Sequence, residues 1–200
     1  MAVAALVMAG GEATRMKGAE KPLLYVGDKV LIERVVEVLR RSKSVDRILV
    51  AVSPRTQQTG IVATNLGVEV IDTAGQGYHS DMKEAIKALG LADVLVVSAD
   101  LPFLLSGVVD EAVHRYLACG KPSLMVAAPI ELFERNGMEP SCVFDFNGQR
   151  LAPVGLNIID GRRVDEPELD EAIYVVQEND LVFNVNTLHD LELARGRLEQ

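Results

Sequence analysis

The sequence predicts an α/β fold with three layers, α/β/α, built on a Rossmann-like, mostly parallel sheet to which antiparallel strands are added late. Strand-like apolar runs alternate with helix-like stretches through the first 130 residues, as in parallel strands joined by helical crossovers. The run DVLVVS at 93–98 has an unbroken apolar centre, which indicates a strand buried on both faces. An Asn-Gly pair at 147–148 lies between apolar runs and indicates a hairpin after residue 130. A chain of 200 residues is expected to form one domain around one core.

Each element has a local signal. Strands are predicted at 3–8, 47–52, 68–71, 93–98 and 123–128, with a final strand at 181–185. Helices are predicted at 30–41, 55–65 and 106–118. Another helix is expected to begin with Ser80 or Asp81 as its N-cap, because apolar residues then recur at helical spacing. The last helix follows a capping box formed by Thr187 and Asp190. Its predicted buried face comprises Leu188, Leu191, Ala194 and Leu198.

Composition narrows the class of protein. The net charge is -9, aromatic residues make up 4% of the chain and Trp is absent, so we expect no nucleic-acid partner. The longest apolar runs are strand-sized, and the N-terminus lacks the basic region of a signal peptide. Cys119 and Cys142 have no metal-ligand spacing; a disulfide between them stays open, and a reduced intracellular protein is the simpler interpretation. We therefore expect a cytoplasmic protein without a membrane span.

The predicted sheet selects candidate site residues. Ligands of such sheets bind outside the carboxyl ends of the parallel strands. The residues that follow the first four predicted strands are the segment 10–21, Ser53, Asp72 and Asp100. These residues are therefore expected to surround a ligand.

The stretch MAGGEATRMKGAEKPLL at 8–24 combines a glycine pair with cationic side chains behind the first strand. It matches neither the Walker A loop nor the G-x-G-x-x-G fingerprint. Glycine amides after a strand can form a concave anion site, and Arg15 and Lys21 add two positive charges. The alternative, a tight turn with solvated basic residues, explains the combined spacing less well. The stretch predicts a triphosphate-binding loop.

These residues resemble a known group of enzymes. MAGGEATRM…EKPLL is similar to the N-terminal motif of nucleotidyltransferases with the nucleotide-diphospho-sugar transferase fold, with Ala13 where many members have Gly. SADLPFL at 98–104 and NVNTLHDL at 184–191 resemble the molybdenum-cofactor guanylyltransferase branch. VIDTAGQGYHSDM at 70–82, PSCVFDFNG at 140–148, PVGLNIID at 153–160 and LVFNVNT at 181–187 resemble the archaeal-type GTP:adenosylcobinamide-phosphate guanylyltransferase family. The resemblance runs from residue 3 to about residue 195.

The resemblance implies one nucleotidyltransferase domain over 1–200. It also implies an activity, the transfer of GMP from GTP to adenosylcobinamide phosphate with release of pyrophosphate, in assembly of the cobalamin nucleotide loop. The partners would be GTP and adenosylcobinamide phosphate, and a homodimer stays open. Mg²⁺ is the expected cofactor, because a hard cation prefers carboxylate and phosphate oxygens.

Site residues follow from the same resemblance and from the chemistry of the reaction. The catalytic residues would be Arg15 on the leaving pyrophosphate, Lys21 on the α-phosphate, and Asp100 as the metal ligand. Asn186 would be a second metal ligand or would orient the metal's water, although a turn satisfied by its own backbone explains Asn184 and Asn186 about equally well. The nucleotide-binding residues would be Ala9, Gly10, Gly11, Glu12, Ala13, Thr14, Arg15, Lys21, Ser53, Asp72, Thr73 and Gly77. The acceptor-binding residues would be Gly155, Asn157 and Asn184.

For Asp72 and Thr73 the expected contact is the ribose or the guanine edge, and for Ser53 the base pocket. Tyr78 is more often a packing residue than a ligand contact.

Two other classes of function stay open. One is a molybdopterin guanylyl- or cytidylyltransferase or a sugar-phosphate nucleotidyltransferase. The first half of the chain is compatible with all of these enzymes, and only the acceptor half, from residue 130 on, separates them from the adenosylcobinamide-phosphate enzyme. The other is a non-catalytic, nucleotide-binding regulatory module. The joint presence of Arg15, Lys21 and Asp100 favours an enzyme, because a sensor needs no metal at the α-phosphate.

Overall fold

The computed structural model describes residues 2–11 and 19–199. In chain order the strands are β1 (Val3–Met8), β2 (Tyr25–Val26), β3 (Lys29–Val30), β4 (Val45–Val52), β5 (Glu69–Asp72), β6 (Asp93–Ser98), β7 (Ser123–Pro129), β8 (Phe144–Phe146), β9 (Gln149–Asp160) and β10 (Glu171–Val175). The helices are α1 (Leu31–Arg41), α2 (Gln57–Asn65), α3 (Tyr78–Leu89), α4 (Ser106–Cys119), α5 (Ile130–Arg135) and α6 (Leu188–Leu198). Short 3₁₀ turns occupy Lys21–Leu23, Gly161–Arg163 and Asn179–Val182.

The main sheet has the strand order β10-β7-β9-β6-β1-β4-β5, with β8 paired to β9. The strands from β6 to β5 are mutually parallel, and β10 is parallel to β7. The long strand β9 lies between β6 and β7 and is antiparallel to both. The predicted α/β fold with a mostly parallel sheet and late antiparallel strands is therefore confirmed.

Helices cover both faces of the sheet, because two sets of apolar side chains alternate along the strands. On one face, α1 buries Leu31, Ile32, Val35, Val36 and Leu39 in a cluster shared with α4, α5 and α6. On the other face, α3 buries Met82, Ala85 and Ile86 against alternate residues of β1, β4 and β6. Each of the Leu, Ile, Val and Met side chains among them contributes about 1.5–3 kcal/mol when it is fully buried. The layers hold the carboxyl ends of β1, β4 and β6 side by side.

Strand β9 shows its two faces by alternating burial. Ala152, Val154, Leu156 and Ile158 are buried in the helix-covered cluster. The residues between them, Pro153, Gly155 and Asn157, are only partly buried. A register shift in the pairing with β7 between Met125 and Ala127 and a φ of 84° at Gly155 mark an irregularity there. This partly open face adjoins the end of β6, because Gly155 lies beside Ser98.

One sequence prediction about the chain end is wrong, and another is confirmed. No strand forms at 181–185; a 3₁₀ turn at Asn179–Val182 precedes irregular chain, and the last described strand is β10. Leu181, Val182, Phe183 and Val185 are nevertheless buried, so the apolar run reflects packing without sheet pairing, which periodicity alone cannot distinguish. The capping box of Thr187 and Asp190 is confirmed.

The predicted face of α6 is only half right. Leu191 and Ala194 are buried, whereas Leu188 is 52% exposed and Leu198 is 42% exposed. These two residues are the first and last of the helix, and the packed part of the helix is its middle.

The start of α3 also differs from the prediction. The helix begins at Tyr78 after Gly77, which has a φ of 114° and supplies no side-chain cap. Ser80 and Asp81 therefore lie inside the first turn, and the Asp81 carboxylate accepts a hydrogen bond from the backbone of Gln76. The glycine provides the unusual backbone angle that ends the loop.

Two further observations concern the chain as a whole. Among the described residues, no helix is both long and apolar enough to cross a membrane. Cys119 and Cys142 are exposed and unbridged.

Candidate active site

A cleft of about 420 Å³ opens at the carboxyl end of the parallel strands, where the sheet topology predicts a ligand. Its lining comes from the segments after β1 and β6, the 3₁₀ turn at Lys21, and the loop that leads into α3. The lining residues are Met8, Ala9, Gly10, Gly11, Lys21, Pro22, Arg55, Gly75, Gln76, Gly77, Tyr78, Asp81, Ser98, Ala99 and Asp100.

Lys21, Asp100 and Asn186 form a polar cluster at one side of the cleft. The Lys21 ammonium forms an ion pair with Asp100 Oδ2 and donates a hydrogen bond to Asn186 Oδ1 at 3.0 Å. Pro22 follows Lys21 in the 3₁₀ turn. Its ring fixes its own φ near the value that the turn needs, which favours the turn that carries Lys21. Asp100 and Asn186, which are 79 and 165 positions from Lys21 in the sequence, thus both contact its ammonium group.

The end of the chain holds Asn186 in place. The Asp190 carboxylate accepts hydrogen bonds from the backbone N–H groups of Asn186 at 2.9 Å and Thr187 at 2.7 Å. Asn186 Nδ2 donates to Asn184 Oδ1 at 3.0 Å, and Val185 donates its N–H to the carbonyl of Asp100 at 3.1 Å. The N–H bonds to Asp190 explain why a capping box stands directly beside the cluster.

Asp100 has the chemistry of a cation ligand. It is 4% exposed, and its Oδ1 is buried without a hydrogen-bond partner among the residues that the structure describes. A buried carboxylate oxygen without a partner is costly, so this atom fits a ligand or ion that approaches from the cleft.

The donor set around Asp100 fits one cation better than others. The described residues contain no group of three or more His, Cys, Asp or Glu side chains that could form a closed metal cage. Mg²⁺ commonly binds through one or two carboxylates, with phosphate oxygens and waters completing its shell. Asp100 and the amide oxygen of Asn186 fit that pattern.

The phosphate-loop candidates lie only partly within the described chain. Ala9, Gly10 and Gly11 line the cleft, and a Cβ on Gly10 would stand 3.3 Å from the Cβ of Ser53. Gly10 is therefore needed for a close approach between two loops. The other candidates, Glu12, Ala13, Thr14 and Arg15, lie outside the described residues.

Three predicted nucleotide contacts do not line this cleft. Ser53 is fully buried, and its hydroxyl donates to the carbonyl of Gly10 at 2.8 Å, so it anchors the loop instead. Thr73 is buried and donates both its N–H and its hydroxyl to Val52 O at 2.8 Å. Asp72 is exposed and accepts from Gln57 Nε2 at 3.3 Å. Gly77, another of the predicted nucleotide contacts, does border the cleft.

Of the three predicted acceptor contacts, two lie close together and the third lies apart from them. A Cβ on Gly155 would lie 3.1 Å from Ser98 Cβ and 3.6 Å from Asn184 Nδ2, so Gly155 and Asn184 meet beside the end of β6. Asn157 lies deeper in the sheet, opposite Val96 of β6 and Met125 of β7.

Several lining residues escaped the sequence prediction. Arg55, Gln76, Asp81 and Ser98 border the cleft without having been assigned to it. Asp81 had a signal, since it is a charged residue in a stretch whose neighbours Met82, Ala85 and Ile86 are apolar at helical spacing. The predicted helix start made it a cap and hid this signal.

Tyr78 also borders the cleft. Although 40% of the residue is exposed, the pKa of its phenol is raised, first by desolvation and then by the negative charge of Asp100. Tyr78, expected more often to pack than to contact a ligand, thus stands where a ligand in the cleft can reach it.

Comparison with known proteins gives the family. Residues 5–164 match the model of the MobA-like NTP transferase domain. The adenosylcobinamide-phosphate guanylyltransferase of Methanocaldococcus jannaschii is 36% identical over 201 residues, covering 98% of this chain and 97% of the relative. A probable molybdenum cofactor guanylyltransferase of Pelotomaculum thermopropionicum is 30% identical, covering 97% of this chain and 92% of that protein.

Solved structures support the same fold. CMP:2-keto-3-deoxy-manno-octonic acid synthetase, solved with CTP, has a TM-score of 0.80 at 17% identity and covers 100% of this chain and 99% of that chain. Molybdopterin-guanine dinucleotide biosynthesis protein A from Archaeoglobus fulgidus has a TM-score of 0.70 at 18% identity and covers 98% of each chain. With its family match and its full-length relatives, this chain belongs to the MobA-like NTP transferases and is a nucleotidyltransferase.

Proposed function

We propose that this nucleotidyltransferase transfers GMP from GTP to adenosylcobinamide phosphate, forming adenosylcobinamide-GDP and pyrophosphate. The observation that carries the proposal is the buried Asp100 carboxylate, which is paired with Lys21 at the carboxyl end of the sheet and has one oxygen without a partner among the described residues. The choice of guanine and of the corrinoid acceptor is supported by the relative that is 36% identical over nearly the whole of both chains.

The chemical step needs positioning and neutralisation of charge. A terminal oxygen of the acceptor phosphate attacks the α-phosphorus of GTP, and the bond from that phosphorus to the β-phosphate oxygen breaks with its electron pair leaving on pyrophosphate. No general base is needed, because the attacking phosphate oxygen is already ionised at neutral pH. Both reactants are anions, so the enzyme contributes by holding them in line and by countering their charge.

Lys21 is suited to the α-phosphate. An ammonium group has three donors, of which Asp100 and Asn186 take two within the described chain. The third can reach a phosphate oxygen while the first two keep the side chain in place. Negative charge that develops during transfer would be stabilised by a donor that needs no rearrangement, which is the effective form of electrostatic catalysis.

Asp100 and Asn186 are the proposed ligands of Mg²⁺, which when bound would supply positive charge at the reacting phosphates. The Asp190 carboxylate holds the backbone of Asn186 and so orients that proposed ligand. Arg15 is proposed to neutralise the leaving pyrophosphate; this role rests on the sequence resemblance, because Arg15 lies outside the described residues.

The acceptor is proposed to lie against the partly open face of β9. Gly155 has no side chain and adjoins Ser98 and Asn184 at the rim of the cleft, so an acceptor phosphate can approach there. Pro153 and Asn157 lie on the same face of β9 as Gly155 and are partly buried.

The proposal is tested with the purified protein, Mg²⁺, GTP labelled at the α-phosphate, and adenosylcobinamide phosphate. The expected result is a labelled corrinoid and one pyrophosphate for each product molecule. Molybdopterin and a hexose 1-phosphate serve as parallel acceptors. Label on either of them but none on the corrinoid would contradict the proposed acceptor. Nucleotide binding without transfer to any acceptor would indicate the regulatory module instead.

A further inference from the structure

The cleft contains a second buried carboxylate besides Asp100. Asp81 lies in the first turn of α3, is 4% exposed and borders the cleft. Its Oδ1 accepts a hydrogen bond from the backbone N–H of Gln76 at 2.9 Å. Within the described residues, Oδ2 receives no donor of its own. Asp81 lines the cleft, so its second oxygen is available to accept a hydrogen bond from a ligand there.

The position of Asp81 indicates which part of a nucleotide it meets. Lys21 and Asp100 form the part of the cleft suited to phosphates and a cation. A carboxylate repels phosphate, so the moiety beside Asp81 is the uncharged end of the nucleotide. The flanking residues Gly75, Gln76 and Gly77 expose backbone where a flat base can approach closely.

Resting on the proposed GTP site, we propose that Asp81 selects guanine by accepting hydrogen bonds from its N1–H and its 2-amino group. Guanine presents these two donors side by side, and a carboxylate is an acceptor on both oxygens. Adenine presents an acceptor at N1, which the carboxylate repels. Xanthine has an oxygen where guanine has the 2-amino group, and hypoxanthine has no group there.

This assignment replaces the one that the sequence suggested. Asp72 is the acid directly after its strand, but it is exposed, contacts Gln57 Nε2 and does not line the cleft. Asp81 is nine residues further along the chain and reaches the cleft because α3 begins at Tyr78.

The substitution Asp81→Asn separates base selection from folding. Asparagine keeps an oxygen that can accept from Gln76 N–H, and it exchanges the other oxygen for an amide donor. That donor matches the 2-oxygen of xanthine and opposes the donors of guanine. The matched control is Glu84→Gln, since Glu84 anchors the same loop through the N–H of Ala74 at 2.9 Å and is exposed outside the cleft.

The measurement is calorimetric binding of GTP, inosine triphosphate and xanthosine triphosphate to the wild-type protein and both variants. The wild type is expected to bind inosine triphosphate about 10- to 100-fold more weakly than GTP, the usual effect of losing a hydrogen bond to a charged group. Asp81→Asn should lose affinity for GTP by a similar factor and gain affinity for xanthosine triphosphate, while Glu84→Gln keeps the wild-type order.

Two results would overturn the inference. One is a wild-type protein that binds GTP and inosine triphosphate equally; this needs no variant and holds even if Asp81→Asn does not fold. The other is an unchanged base preference in Asp81→Asn, above all if Asp72→Asn alters it. Because binding is measured without an acceptor, a failure of corrinoid transfer would count against the proposed function and leave the base preference as a separate result.

Discussion

The N–H of Asn186 donates to the Asp190 carboxylate at 2.9 Å, and this bond joins the capping box of the last helix to the polar cluster of Lys21, Asp100 and Asn186. Asp190 therefore completes the capping box of α6 and also holds Asn186, which in turn accepts a hydrogen bond from Lys21. The relationship explains how residues at the two ends of the chain are held together beside Asp100.

Replacing Asp190 by Ala should affect both stability and metal dependence. Loss of the capping box should lower the free energy of unfolding by about 1 kcal/mol. Release of Asn186 should also raise the Mg²⁺ concentration needed for half-maximal transfer, by about 10-fold, as is typical when an outer-shell partner is lost. The matched control is Thr187→Ala, which removes the hydroxyl that accepts from Asp190 N at 3.1 Å and leaves Asn186 held. An equal change of Mg²⁺ dependence in both variants would contradict the positioning role.

Asp100→Asn should leave much of the affinity for GTP and lower the rate of transfer by about 100-fold or more, as expected when a group that stabilises the transition state is removed. Asparagine fills the same space, so the protein should stay folded. Calorimetry measures the GTP affinity, and the rate of pyrophosphate release measures the transfer. Wild-type turnover in a folded Asp100→Asn protein would show that the metal site lies elsewhere.

The ion pair of Lys21 and Asp100 is expected to make the effects of substitutions at the two residues on the free energy of unfolding non-additive. Lys21→Met leaves the Asp100 carboxylate buried without its cation and should destabilise the protein by about 3 kcal/mol, at the low end for a broken buried pair. The double variant Lys21→Met/Asp100→Asn should regain part of that loss, because the stranded charge is gone. Denaturant unfolding of the single and double variants gives the coupling. Strictly additive losses would mean that the pair is not coupled in the folded protein.

Gly155→Ala should weaken acceptor binding specifically. A side chain at a φ of 84° is strained by about 1–3 kcal/mol, and its Cβ would press on Ser98 at 3.1 Å. Gly148→Ala is the control, since Gly148 has a φ of 78° and open space around it. Both variants should lose stability, but the KM for the acceptor should rise only in Gly155→Ala. An equal rise in both would exclude an acceptor contact at Gly155.

The stability of the protein is expected to depend on pH through Asp110 of α4, whose carboxylate accepts hydrogen bonds from the segment 42–44. Desolvation raises the pKa of Asp110, but hydrogen bonds from Ser42 and from the backbone of Ser44 and Lys43 outweigh it, so the net pKa is lowered. A lowered folded pKa stabilises the protein above the unfolded value of about 3.9, and this contribution is lost as the pH falls through the folded pKa.

Asp110→Asn should therefore be less stable than the wild type at pH 7, and the difference should shrink as the pH falls below about 4. Urea unfolding at a series of pH values checks this. A constant difference from pH 7 to pH 2 would contradict the assigned cause.

The sequence predicted the sheet, most helices and the edge of the sheet at which the cleft lies, because alternating apolar runs and strand-end residues are local signals. Lys21 and Asp100 were found in this way, as polar residues beside buried strands. Asp81 was missed as a cleft residue because its position depends on where α3 begins, which a glycine with a positive φ determines. Ser53 and Asp72 were placed in the site because they follow strands, whereas their directions depend on contacts with Gly10 and Gln57. The strand predicted at 181–185 failed because burial without pairing has the same sequence pattern as a buried strand.

A competition between acceptors shows whether this cleft transfers GMP to a corrinoid phosphate in preference to other phosphates. Adenosylcobinamide phosphate, molybdopterin and glucose 1-phosphate are mixed at equal concentrations with labelled GTP, Mg²⁺ and the protein, and the initial products are separated. We expect adenosylcobinamide-GDP to carry nearly all of the label, with a kcat/KM at least about 100-fold above that of either competitor, as is typical where polar contacts discriminate between substrates. Predominant labelling of molybdopterin or of the sugar would contradict it.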